Sequence, residues 1–218
     1  MNPLRNHPRI LLVLLTMSVQ LITGCKPMLY PVARMFGVPA ESELAVYRVT
    51  FQRLKGALPQ DQLVVHTPCV FRHDGGKWDK ELTPCMAEAL TAQGFHAVPF
   101  EGADPKIGGD PPGANQLRFT WRRAREYAKW TAENRPAGAW HLYTDLVVDG
   151  GGTIVGMEFF IVDGKGNLAL VRLLNSHHPS FQGIQRGSLA SGCSVLARTL
   201  QITLTFPSER LFPPYGIG

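Results

Sequence analysis

The segment HTPCVFRH brings His66, Cys69 and His73 together, and Cys85 follows in the next hydrophobic stretch. Imidazole nitrogens and thiolates are zinc ligands, and four such groups can close a tetrahedral site. The spacing argues against it. His66 and Cys69 lie an odd number of positions apart, so an extended strand sends them to opposite faces, with Pro68 as the only easy bend between them. Polar surface histidines are expected here, with no metal, and SHHP at Ser176–Pro179 reads as exposed loop. Hydrolytic chemistry has no local signature: GSLASG lacks the G-x-S-x-G spacing of a nucleophile elbow. DGGG is no phosphate loop, because no Lys-Ser/Thr pair follows and no helix begins there. No catalytic residue and no cofactor is assigned.

A second chemistry lies in RFTWRRAREYAKW, which collects Arg118, Arg122, Arg123, Arg125 and Lys129 among Trp121, Tyr127 and Trp130. Such a stretch can hold an anionic ligand. The plainer alternative is a solvated face whose aromatic stems pack inward. Nucleic acid is not expected. The chain has 218 residues and a formal charge of +5, and Arg5 and Arg9 of the N-terminal segment contribute two of its 22 basic residues against 17 acidic ones.

That N-terminal segment carries the strongest motif. Arg5 and Arg9 precede the apolar run Ile10 to Leu21, and Leu21, Ile22, Thr23 and Gly24 lead into Cys25. This is the shape of a secretory signal, too short to favour a membrane-spanning helix. LITGC closely resembles the lipobox of bacterial lipoproteins. The resemblance implies that the Cys25 thiolate takes a diacylglyceryl group, that a signal peptidase recognises Leu21–Gly24 and cuts before Cys25, and that the new amino group is acylated. A tether with several acyl chains holds stably, at about 0.8 kcal/mol per buried methylene. Lys26 follows the cysteine where aspartate would retain such a protein at the inner membrane, which implies the periplasmic face of a Gram-negative outer membrane.

Export to an oxidising compartment permits disulfides. Cys69, Cys85 and Cys193 remain after lipidation, allowing three pairings or none. Cys69–Cys85 is the pairing put forward, stapling a strand to a helix for about 3 kcal/mol in the chain-entropy model. Cys193 would then be a buried thiol.

The elements that must position these residues follow from periodicity. AVYRVTFQ alternates Ala45, Tyr47, Val49 and Phe51 with polar residues, as a strand does. QLVVHTPCVF is a second strand interrupted at Pro68. TPCMAEALTAQGF reads as a helix with Thr83 capping, Pro84 in the first turn and Gly94 past its end. FHAVPF is a short strand, and EGADPKIGGDPPGAN a loop. QLRFTW reads as a strand at its start. AWHLYTDLVV, GTIVGMEFFIV and NLALVRLL, joined by DGG and DGKG turns, make an antiparallel meander. A helix runs to Leu200, and residues 200–206 are open between helix and strand.

The sequence therefore predicts an α+β fold: an antiparallel meander sheet packed on one side by about two helices. Residues 1–24 form the signal peptide, 25–43 the lipidated cysteine and short tether, 44–206 a single domain, and 207–218 an irregular tail. ALTAQGF and VDGKGNLAL give the domain a general similarity to small α+β envelope lipoproteins, which transfers no site residue. The expected role is non-catalytic binding or accessory work in the envelope, with the membrane reached through the lipid anchor and an envelope protein as partner. An envelope hydrolase and a module for an anionic envelope ligand are the alternatives.

Overall fold

The computed structural model describes residues 40–58, 60–105, 107, 116–184 and 188–205. Residues 1–39 and 206–218 lie outside it, and with them the expected signal peptide, Leu21–Gly24, Cys25, most of the tether and the tail. The fold is α+β, with four α-helices around a mixed sheet of seven strands among the described residues.

The first element is a helix, α1 (Glu41–Ala57), where alternation had suggested a strand. Two periods coexist in this stretch. Leu44, Tyr47, Phe51 and Leu54 recur at three- and four-residue steps, and Tyr47, Phe51 and Leu54 are the buried ones. Val46 and Val49, at 50% and 63% exposure, look outward. Glu41 and Glu43 in the first turn and Lys55 in the last complement the helix dipole.

The QLVVHTPCVF run does break at Pro68, into β1 (Gln62–Val65) and β2 (Cys69–Arg72). Both halves pair in parallel with the same strand, β5 (Trp140–Val148). Leu63–Val65 faces Trp140–Leu142 and Cys69–Phe71 faces Asp145–Val147, so His66, Thr67 and Pro68 oppose only Tyr143 and Thr144. The extra residue is a bulge, and the missing proline N–H explains why it falls there. β3 (Gly75–Trp78) folds back on β2, and β4 (His96–Pro99) pairs in parallel with β1.

The meander is present: β5, β6 (Ile154–Asp163) and β7 (Leu168–Asn175) are antiparallel neighbours. It is only part of the sheet, because β1, β2 and β4 add parallel pairs to it. Helix α2 (Leu82–Ala92) begins after Glu81, and Thr83 lies buried within its first turn instead of capping it. Gly94 adopts φ +89° just beyond its end, as expected. Helix α3 (Gln116–Asn134) takes in the whole of QLRFTW, so its expected strand start is also corrected. Helix α4 (Ala190–Thr205) continues past Leu200 as helix.

Both faces of the sheet are covered, not one. Met86 and Leu90 of α2 and Leu196 and Leu200 of α4 meet Leu142, Met157, Phe159 and Ile161 on one face. Trp121, Ala124, Tyr127 and Ala128 of α3, with Tyr47 of α1, meet Tyr143, Phe160, Val162 and Val171 on the other. Burial on two faces explains why β5 and β6 read as continuous apolar runs instead of alternating. No helix among the described residues is long and apolar enough to cross a membrane.

Candidate functional site

The disulfide joins Cys85 to Cys193, whose Cα atoms are 6.1 Å apart, and leaves Cys69 a buried free thiol. The expected Cys69–Cys85 pairing fails on the side of the sheet each cysteine occupies. Cys69 stands directly beside Asp145 in the β2–β5 register and so shares the face that α3 covers. Cys85 lies on α2, across the sheet, where α4 brings Cys193 to it.

Nor do the basic residues of α3 form one patch. Arg123 is 2% exposed and points into the molecule. Its Nε donates to Asp145 Oδ2 at 2.6 Å, and its Nη2 donates to the Tyr127 hydroxyl at 3.2 Å. That hydroxyl donates to Asp145 Oδ1 at 2.8 Å, so both carboxylate oxygens are held. The guanidinium also lies 4.7 Å from the Phe71 ring centre. Arg122 faces Glu126 at 3.9 Å and Lys129 faces Glu133 at 3.7 Å, both one turn apart on the solvent side. Arg125 holds Glu43 of α1 through two parallel bonds, at 2.9 and 3.2 Å. The side chain of Arg118 lies outside the described residues. Trp121 and Tyr127 pack inward and Trp130 is half-buried.

Beneath α3 runs a polar row of which the helix supplies one wall. Cys69, Asp145 and Glu158 are direct neighbours across β2, β5 and β6. Thr120 donates to Glu158 Oε1 at 2.6 Å, while Glu158 Oε2, buried, has no hydrogen-bond partner. Arg123 is bonded to Asp145, and the second buried carboxyl, Glu158, lies beside that pair. Burial pushes the Glu158 carboxyl up to about 7, the Thr120 bond opposing this and the Asp145 charge adding to it. Burial, reinforced by Asp145, pushes the Cys69 thiol up to about 12, so it is no nucleophile.

At the bulge, His66 is wholly buried and not the surface residue expected. Its Nε2 faces His141 Nδ1 at 3.2 Å, and its ring stacks on Tyr143 at 4.2 Å. Burial holds His66 down at about 2, with His141 adding to the effect, and holds His141 at about 4. Both rings are neutral across the physiological range. His73 is exposed and Cys85 is in its disulfide, so the four candidate zinc ligands do not converge. His177 is exposed, as SHHP suggested, and His178 is half-buried, its Nδ1 accepting from Ser180 N.

Among the described residues, a cleft open to solvent lies on the other flank of α3. Ser42, Glu43, Val46 and Tyr47 of α1, Trp121, Arg125 and Ala128 of α3, and the Gly166–Leu168 turn enclose a cleft of about 330 Å³. Its floor is aromatic and aliphatic, with Tyr47 and Trp121 edge to face at 5.7 Å. The Glu43–Arg125 pair stands at its rim, about a third exposed. The turn that closes it depends on Gly166, at φ +85°: a Cβ there would lie 2.6 Å from Ala132 Cβ and 2.7 Å from the Ala128 carbonyl. Asp163 fixes the same turn, accepting from Lys165 N, Asn167 N and Asn167 Nδ2.

The residues that sequence reasoning missed are Asp145, Glu158, Thr120 and His141 in the interior, and Glu43, Tyr47 and Leu168 in the cleft. A signal existed for two of them, since Asp145 and Glu158 are acids in the middle of strands rich in apolar residues. No family model matches this chain. No curated protein and no solved structure is found similar to it either.

Proposed function

We propose that the chain is a lipid-anchored bacterial envelope lipoprotein whose α+β domain has a non-catalytic binding role, with the cleft between α1 and α3 as its binding site. The LITGC motif supports the anchor at Cys25, and Lys26 supports the outer membrane. The cleft carries the binding half of the reading. It is concave and largely apolar, with one charged pair at its mouth, which is the usual composition of a small-molecule site. The buried row of Arg123, Asp145 and Tyr127 serves this site by locking α3 in rotation and height, so that Trp121 and Arg125 are presented from a rigid wall.

An envelope hydrolase has weaker support, because the cysteine and the two histidines nearest the polar row, Cys69, His66 and His141, are buried, the thiol held protonated and both rings held neutral.

The anchor is tested by feeding a clickable palmitate analogue to cells producing the full chain. Label expected on the protein, and lost with Cys25→Ser, supports the reading. Full-length protein with an unmodified Cys25 overturns it.

A further inference from the structure

The cleft also carries information about the charge of its occupant. The two members of the rim pair are not equivalent. Arg125 projects from α3, whose inward side is clamped by Arg123, Tyr127 and Thr131 to the sheet. Glu43 projects from the first turn of α1 and is 40% exposed. When the pair opens, the carboxylate is the partner that can leave: it turns into water and stays beside the positive end of α1. Arg125 stays at the mouth, its planar fork already aligned for two parallel bonds to a carboxylate. Below it lie Tyr47, Trp121, Ala128 and Leu168, which offer mainly apolar and aromatic surface to the body of a ligand.

We infer that the cleft takes a small molecule with a ring-sized apolar body and one carboxylate, the ligand replacing Glu43 on Arg125. This rests on the reading of the cleft as the binding site. Glu43 is then an internal stand-in for the ligand's own head group. Any ligand must compete with it, so the pair sets affinity and selects for charge. Val46, exposed at the lip, extends the apolar wall along which the body enters.

The test uses the full chain in lipid nanodiscs, with empty nanodiscs subtracted, and three matched probes: 3-phenylpropionate, 3-phenylpropanol and 3-phenylpropylamine. Equilibrium dialysis gives each Kd. The carboxylate is expected to bind roughly tenfold more tightly than the alcohol, the gain of one charge-assisted pair. Arg125→Gln should abolish that preference. Glu43→Gln, which removes the competitor, should tighten 3-phenylpropionate several-fold, an effect that damage to the fold cannot produce. Equal binding of carboxylate and alcohol, a preference for the amine, or no tightening by Glu43→Gln overturns the inference and leaves the cleft reading standing. Failure of all three probes to bind, or binding untouched by Trp121→Ala, overturns both.

Discussion

Replacing Glu158 with glutamine isolates the proton held in the polar row. The ordinary value for a glutamate carboxyl is 4.5, and burial against the sheet lifts this one to about 7. Between those two values the folded chain holds a proton that the unfolded chain has lost. Stability from this group is therefore fully present below about pH 4.5, is lost as pH rises to about 7, and is flat above it. At about 1.36 kcal/mol per pH unit the loss amounts to about 3 kcal/mol. Glutamine cannot titrate, yet its carbonyl still accepts from Thr120. The raw curve will not show the effect cleanly, because His66 and His141 work in the opposite direction. Their lowered values mean that stability is lost as pH falls from 6.5 towards about 4 and about 2. Those groups, with Asp145, Arg123, Tyr127 and Cys69, are common to both chains, and their contributions largely cancel in the difference. Urea denaturation of wild type and Glu158→Gln at about pH 5 and about pH 8 should show the variant gaining about 2.5 kcal/mol relative to wild type at the higher pH, the remainder of the loss falling below pH 5. Parallel stabilities at the two pH values would refute the reasoning.

Arg123→Met should cost about 3–5 kcal/mol by stranding the buried Asp145 carboxylate, and adding Asp145→Leu should recover much of it. A single and a double variant of equal stability in urea would argue against the pairing. Gly166→Ala should lower stability by at least about 1–3 kcal/mol, since φ +85° and the contacts with α3 both oppose a methyl group. An unchanged melting temperature would count against that close approach. Peptide mapping without reductant should recover Cys85 linked to Cys193, and native protein should protect Cys69 from alkylation. In the chain-entropy model that bridge is worth about 4–5 kcal/mol, so a Cys85→Ser variant should unfold at distinctly lower urea.

The meander, α2 and the break at Pro68 were legible because each is written locally: turn residues at fixed spacing, a proline in an apolar run, a glycine past a helix end. The mixed character of the sheet was not, because parallel pairing between β1, β4 and β5 joins segments far apart in the chain and leaves no local mark. Val46 and Val49 misled at α1: they supply strand-like alternation, but they are the residues left in water. The cationic stretch on α3 reads as a group, and its solvated face holds for Arg122 and Lys129 but not for Arg123, since nothing in RRAREY says which arginine turns inward. Only Asp145, a lone acid inside β5, could have picked out Arg123 as its partner. The disulfide was misassigned for the same reason, a choice of sheet face that neighbouring residues do not reveal.

The hydroxyl of Tyr47 accepts the backbone N–H of Val171, in β7 at the outer margin of the meander. That side chain thus does what a neighbouring strand would otherwise do, and α1 lies along the longest margin the sheet has. The opposite margins, β3 and β4, are four residues each, and β4 ends in proline. Strand-by-strand growth into fibres or swapped dimers is thereby discouraged. Loosening α1, as Tyr47→Phe should do, is the change that would invite it.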